Sequence, residues 1–256
     1  MQQGVTGKRT SVQPAVRHAV ASLRNECLQS PPGTLLGQED DLLGRYKVSR
    51  PTLRQAAALV GQEQLLRVQR GVGGGYFSHR PDVSGVTHMA AILLQLEGAH
   101  MREILQSTEA IRTAIIPLAA SNMSTEAREE LREFLDREAA IPSEAYDFVT
   151  FLRAERKHND IIGRASGNSV LTLFMKISLE LVSSLSKEED VLFGKAERFL
   201  EWRSQRNRML QAVLDGDHEV ALIEAKRCSD KVRKWLAADK SKAQDEMTVR
   251  IAHVEG

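Results

Sequence analysis

The chain of 256 residues has only two cysteines, Cys27 and Cys228, far apart in sequence. That excludes a disulfide framework and points to a reducing compartment, the cytoplasm. Long apolar runs are also missing. The longest, residues 89–94, is far short of the roughly 20 residues that a membrane helix needs, so no membrane partner is expected. Lys8 and Arg9 are followed by no apolar segment, so the start does not read as a secretory signal. Signatures of catalysis are absent too: there is no His-Glu-x-x-His, no Gly-x-Ser-x-Gly and no cysteine in a nucleophile context. No internal repeat or low-complexity segment stands out. Net charge is small, formally +1, but it is unevenly divided. Residues 1–80 carry eleven Lys and Arg against five acids, a surplus of +6, and the remainder carries 24 against 29, or −5. A basic head on a mildly acidic body suits contact with a polyanion.

The residue pattern of the head has a definite layout. Ser49 is a good N-cap, and Pro51 is tolerated in a first turn whose amides need no intrahelical partner. Leu53, Ala56, Ala57 and Val60 then fall on one helical face, leaving Arg50, Thr52 and Arg54 clustered at the leading end. Upstream, residues 39–46 read as a short helix with an acidic first turn, joined through a tight turn at Lys47 and Val48. Downstream, residues 65–69 and 76–78 are β-prone runs joined by Arg70-Gly71-Val72-Gly73-Gly74-Gly75, a hairpin with a glycine-rich tip. A phosphate-cradle reading of this tip fails, because the glycines lead into a strand and not a helix. Helix, turn, recognition helix and wing follow one another, and residues 13–29 supply a further helix with Val16, Ala19, Val20, Leu23 and Cys27 inward.

This pattern resembles the DNA-binding domain of GntR-family transcription regulators, in Glu39 to Leu43, Val48-Ser49-Arg50, Thr52-Leu53-Arg54-Gln55-Ala56 and the wing glycines. The resemblance implies a winged helix-turn-helix on double-stranded DNA. Arg50 and Arg54 would reach phosphates and guanine edges, with Ser49 and Thr52 beside them. Arg70, Gly71 and Gly73 would bring the wing to the minor groove, and Arg45 and Lys47 would touch the backbone. The family usually has an arginine where this chain has Asp40.

From residue 86 to 237 everything reads as helix. Gly167-Asn168 and Asp215-Gly216-Asp217 are the turns, Pro117 a kink, and residues 144–165 and 187–214 two of the helices. Ile111-Arg112, Pro117 to Ala120, His158, Ala165 to Asn168 and Asp215 to Asp217 resemble the FCD ligand-binding domain of the FadR-like branch. Many FCD domains hold a divalent metal through an aspartate and three histidines. Carried over, those positions fall on Ala154, His158, Arg206 and Cys228, of which Ala154 and Arg206 cannot coordinate, so no metal and no cofactor is expected. Arg206 lies on an apolar stripe with Phe199, Trp202, Met209 and Val213, where a charge is costly unless paired. Two readings stay open: Arg206, with His158, Arg112 and Cys228, binds an anionic or thioester effector such as an acyl-CoA or hydrophobic carboxylate, or Arg206 is salt-bridged internally to an acid such as Glu155.

The expectation is therefore a mostly α chain. A polar segment at 1–12 precedes a winged helix-turn-helix at 13–78, and a linker at 79–85 leads to an antiparallel helical bundle at 86–237 and a polar tail at 238–256. It would act as a cytoplasmic homodimer on a palindromic operator, sensing a small molecule. The rival readings are an all-α enzyme with a winged-helix appendage and an effector-free architectural DNA binder.

Overall fold

The computed structural model describes residues 13–183 and 194–238. The chain divides into two compact units between Asp82 and Val83. The first unit opens with α1 (Pro14–Gln29), followed by β1 (Leu35–Gly37), α2 (Glu39–Tyr46), α3 (Arg50–Gln62), β2 (Leu66–Gln69) and β3 (Gly75–Ser78). Its core gathers Val16, Leu23 and Cys27 of α1, Leu42 and Tyr46 of α2, and Leu53, Ala56 and Val60 of α3. Lys47 takes a left-handed backbone conformation, φ 51°, and that one residue makes the turn between α2 and α3. Ser49 caps α3 by accepting from the Thr52 amide at 3.4 Å.

The sheet has three strands in the order β1-β3-β2, all antiparallel, so the hairpin gains a strand that sequence reading did not foresee. Leu66 pairs with Ser78 and Val68 with Tyr76. β1 is anchored by the Ser78 amide donating to the Thr34 carbonyl at 2.9 Å. At the wing tip Gly71 and Gly73 have φ of +95° and +77°, and a Cβ on Gly74 would meet the Gln69 carbonyl oxygen at 2.5 Å. Only glycine makes that turn without strain.

The second unit is all-helical among its described residues: α4 (Ser84–Leu96), α5 (Met101–Asn122), α6 (Thr125–Ala140), α7 (Phe148–Ser166), α8 (Ser169–Ser183), α9 (Ala196–Asp215) and α10 (His218–Ala238). α4 starts at Ser84, inside the segment read as linker. α5 continues through Pro117 and packs against α7, α8, α9 and α10. Gly163 lets α8 close on α7, because a Cβ there would sit 2.5 Å from the Thr172 methyl. Gly167 ends α7 in the left-handed conformation, and Asn168 then caps α8 by accepting from the Leu171 amide at 3.0 Å.

Two helices differ from expectation. The one foreseen at 144–165 is a short turn, Ser143–Ala145, followed by a fresh start at Phe148. Asp147 accepts from the Thr150 amide at 2.7 Å and so caps α7, while Tyr146 is drawn into the core. The one foreseen at 187–214 is α9, from Ala196 to Asp215, and its expected start falls outside the described residues, as do residues 1–12 and the tail from 239.

Candidate nucleic-acid interface and effector site

On the head, the arginines at the leading end of α3 are exposed, with 61% of the Arg50 side chain and 69% of the Arg54 side chain open to solvent. Each is held by a carboxylate of α2. Arg50 Nη2 donates to Asp40 at 2.8 Å, and Arg54 donates through Nε and Nη2 to Glu39 at 2.7 and 3.2 Å. The hydrogen bond from Arg54 holds the Glu39 carboxyl below the usual carboxylate range. Thr52 Oγ1 lies 2.8 Å from Ser49 Oγ, so both hydroxyls stay at the same end of the helix. Between α3 and the wing runs an open groove of about 850 Å³, lined by Glu39, Arg54, Gln69, Arg70, Gly71 and Tyr76 among others.

Lys47, Arg70, Gly71 and Gly73 are exposed around this face. Arg45 is exposed as well, and its Nη1 donates to Glu26 of α1 and to the Leu36 carbonyl at 3.1 Å, which ties α2 to its neighbours. Glu39 and Asp40, which sequence reading did not assign as partners of the arginines, lie opposite them. Their spacing to Arg50 and Arg54 carries no local signal, because the turn at Lys47 brings α2 and α3 together.

In the helical unit, Arg206 is completely buried, and all five of its N–H bonds have acceptors. Nη2 donates to Glu138 and to Asn207 Oδ1 at 3.0 Å. Nη1 donates to Glu155 Oε1 at 3.1 Å and to Tyr146 Oη at 3.4 Å, and Nε donates to Asn207 at 3.2 Å. Glu155 also accepts from Trp202 Nε1 at 2.9 Å, and Glu138 from Tyr146 Oη at 3.0 Å. Burial pushes the Tyr146 hydroxyl up to about 12, so it remains a donor. The guanidinium also lies over the Phe134 ring, 5.4 Å from its centroid. A saturated arginine has no N–H left for an incoming anion. Of the two readings of Arg206 the internal salt bridge is therefore the one present, with Glu138 as a second partner.

His158 is buried beside this cluster, with Nδ1 3.0 Å from the Ala154 carbonyl and 3.8 Å from Glu155. Burial lowers its pKa to about 4, which keeps the imidazole neutral near pH 7. Cys228 is buried as well, and desolvation pushes its thiol up to about 11. Arg112 of α5 is also buried, but it differs from Arg206. Its guanidinium lies 5.3 Å from the Trp202 ring centroid, and among the described residues it has no hydrogen-bond or ion-pair partner.

Known proteins match parts of this chain in sequence and most of it in fold. Residues 103–227 match the FCD domain. A stretch of 104 residues is 36% identical to an uncharacterized HTH-type transcriptional regulator of Mycobacterium tuberculosis, covering 40% of this chain and 41% of that relative's length. The solved structure of Streptococcus agalactiae GntR superposes with a TM-score of 0.63 at 15% identity, over 86% of this chain and 99% of the other. The second unit thus matches the FCD domain over residues 103–227, and the chain shares its fold with that GntR structure.

The FCD metal set does not fit the residues present here. Ala154 presents a methyl group, and Arg206 brings a positive charge into the position of a ligand. Among the described residues no group of three or more His, Cys, Asp or Glu is arranged to hold a metal ion. Sequence reading missed Glu138, Tyr146 and Arg203. Arg203 lies over the Tyr146 ring at 4.3 Å and donates to the Ile141 carbonyl at 3.0 Å.

Proposed function

We propose that this chain is a GntR-family transcription regulator that binds operator DNA as a homodimer through α3 and the wing, and that its FCD domain responds to a small carboxylate-bearing metabolite. The observation that carries the DNA reading is the pair of exposed arginines, Arg50 and Arg54, toward the leading end of α3, beside a glycine wing with Arg70 at its base. Arg45, Lys47, Ser49, Thr52, Gly71 and Gly73 form the rest of the contact set. Two copies of so short a reading helix match a palindromic operator. Relative to wild type, Arg50→Ala and Arg54→Ala are each expected to weaken operator binding by about 1–3 kcal/mol in a fluorescence-anisotropy titration. Undiminished affinity in both variants would sink the assignment and return the enzyme reading to the field.

The dimer reading rests on α4. Val86, Met89, Leu93 and Leu96 are exposed on it at the spacing of a helix-pairing stripe, while Thr87 and Ala91 face inward. The effector reading rests on Arg112, a buried cation with no hydrogen-bond or ion-pair partner among the described residues, near the neutral His158 and the Cys228 thiol. A buried cation without an anion is costly, and a bound carboxylate removes that cost. A thioester with a bulky nucleotide head is the less favoured ligand, because Arg206 is already saturated. Among the described residues no helix is long and apolar enough to cross a membrane, and a cytoplasmic site of action follows from DNA as the partner.

One native mass spectrum tests both points. The wild type is expected to be a dimer, Leu93→Asp a monomer, and Arg112→Met a dimer that no longer retains the small organic acid carried by the wild type. A wild-type monomer, or a ligand retained equally by Arg112→Met, would overturn the corresponding reading.

A further inference from the structure

The first turn of α2 presents three consecutive carboxylates, Glu39, Asp40 and Asp41. Two are accounted for by the fold or by burial. Asp41 accepts from the Gln38 amide at 3.0 Å and closes the helix cap. Glu39 is only 27% exposed and grips Arg54 with both oxygens. Asp40 is different: its side chain is 79% exposed, and among the described residues its one hydrogen-bond partner is Arg50 Nη2 at 2.8 Å. So exposed an ion pair adds little to stability. On a face turned toward DNA it also repels phosphate, so affinity does not account for it either.

What the pair does supply is orientation. A long, unrestrained arginine finds any nearby phosphate, and phosphate contacts carry no sequence information. Asp40 takes one of the five N–H bonds of Arg50 and leaves four, enough for a two-pronged contact with O6 and N7 of guanine. We propose that Asp40 is a specificity-determining residue, which holds the Arg50 guanidinium on the first turn of α3 so that it reads a base instead of pairing with phosphate. This rests on the operator-binding reading above. Its chemistry makes two effects of opposite sign follow from removing Asp40. Binding to arbitrary duplex tightens, because a repelling charge is gone and Arg50 is released to the backbone. Discrimination at one base pair of each half-site falls.

The test uses the full-length protein. Duplexes are enriched from a random library with the wild type. Wild type, Asp40→Ala, Asp40→Asn and Arg50→Ala are then titrated with the enriched duplex, its single-base variants and a random duplex at several salt concentrations, and a circular-dichroism melt of each checks folding. Asp40→Ala is expected to lose roughly tenfold in discrimination at the base pair where Arg50→Ala also loses it. It should bind random duplex several-fold tighter, with a salt slope steeper by about 1. Asp40→Asn retains an acceptor for Nη2 without the charge, so it should keep most of the discrimination while random binding still rises. Unchanged discrimination in Asp40→Ala would overturn the proposal while leaving operator binding intact. A loss at a base pair that Arg50→Ala does not affect would also overturn it, in favour of direct contact by the carboxylate. If the wild type enriches no sequence, the operator reading itself fails and this proposal with it.

Discussion

Replacing Arg206 with alanine is expected to destabilise the helical domain by about 3–5 kcal/mol, read as a fall in melting temperature on the order of 10 °C. The reason lies in what stays behind. Glu138 and Glu155 are buried, and both accept from this guanidinium, so the variant leaves two carboxylates in a low-dielectric interior without their shared cation. A cavity against Phe134 and Tyr146 adds to the cost. The size of the effect reflects the broken pair and not a large net gain from having the cluster, because a cluster removed as a unit often costs little. Accordingly, Arg206→Met combined with Glu138→Leu and Glu155→Leu should recover most of the lost stability. If the single alanine variant melts within 2 °C of wild type, Arg206 is not the internal counter-ion described here.

The second large effect is a loss of stability in acid, centred on His158. Its folded pKa is about 4 against an ordinary 6.5, because burial disfavours the imidazolium; Arg206 and Arg112 add to the lowering, against the pull of Glu155 and of the Ala154 carbonyl. A depressed histidine binds fewer protons folded than unfolded between those two values. Stability is therefore complete above pH 6.5 and falls as pH drops toward 4, by about 3 kcal/mol in all. Burial raises the carboxyl of Glu155, but the charges on protonated His158 and on Arg206, with the Trp202 and Arg206 hydrogen bonds, outweigh it and leave its pKa below the ordinary 4.5. Its stabilisation is likewise lost toward acid, at the lower end of the same range. Chemical denaturation at a series of pH values should show the slope, and His158→Gln should flatten it above pH 4.5. An unchanged slope in that variant would assign the acid sensitivity elsewhere.

What could be read from the sequence was local in its physics. The Ser49 cap, the Leu53 to Val60 face of α3, the glycines of the wing and the left-handed stops at Gly167 and Gly216 each depend on a few neighbouring residues. Several of those positions also carried the family resemblance, so architecture and resemblance were legible together. β1 was not, because three residues are too few to show a strand period. Nor was the break before α7, where a capping aspartate and a buried tyrosine outweighed a continuous helical pattern.

At the candidate sites the division is sharper. Residue type alone said that Arg206 needed a partner and that Ala154 could not hold a metal. It offered Glu155 as one candidate acid and gave no sign of Glu138. Glu138 and Glu155 lie 68 and 51 positions from Arg206 and meet it only because α6, α7 and α9 pack side by side. The same holds for Asp40 on Arg50, Glu39 on Arg54, Glu26 on Arg45 and Arg112 over Trp202. Sequence determines which side chains carry charge and which helical face each one lies on. Only the tertiary structure decides which charges neutralise one another and which are left for a ligand, because ion pairing depends on distance through space and not on separation along the chain.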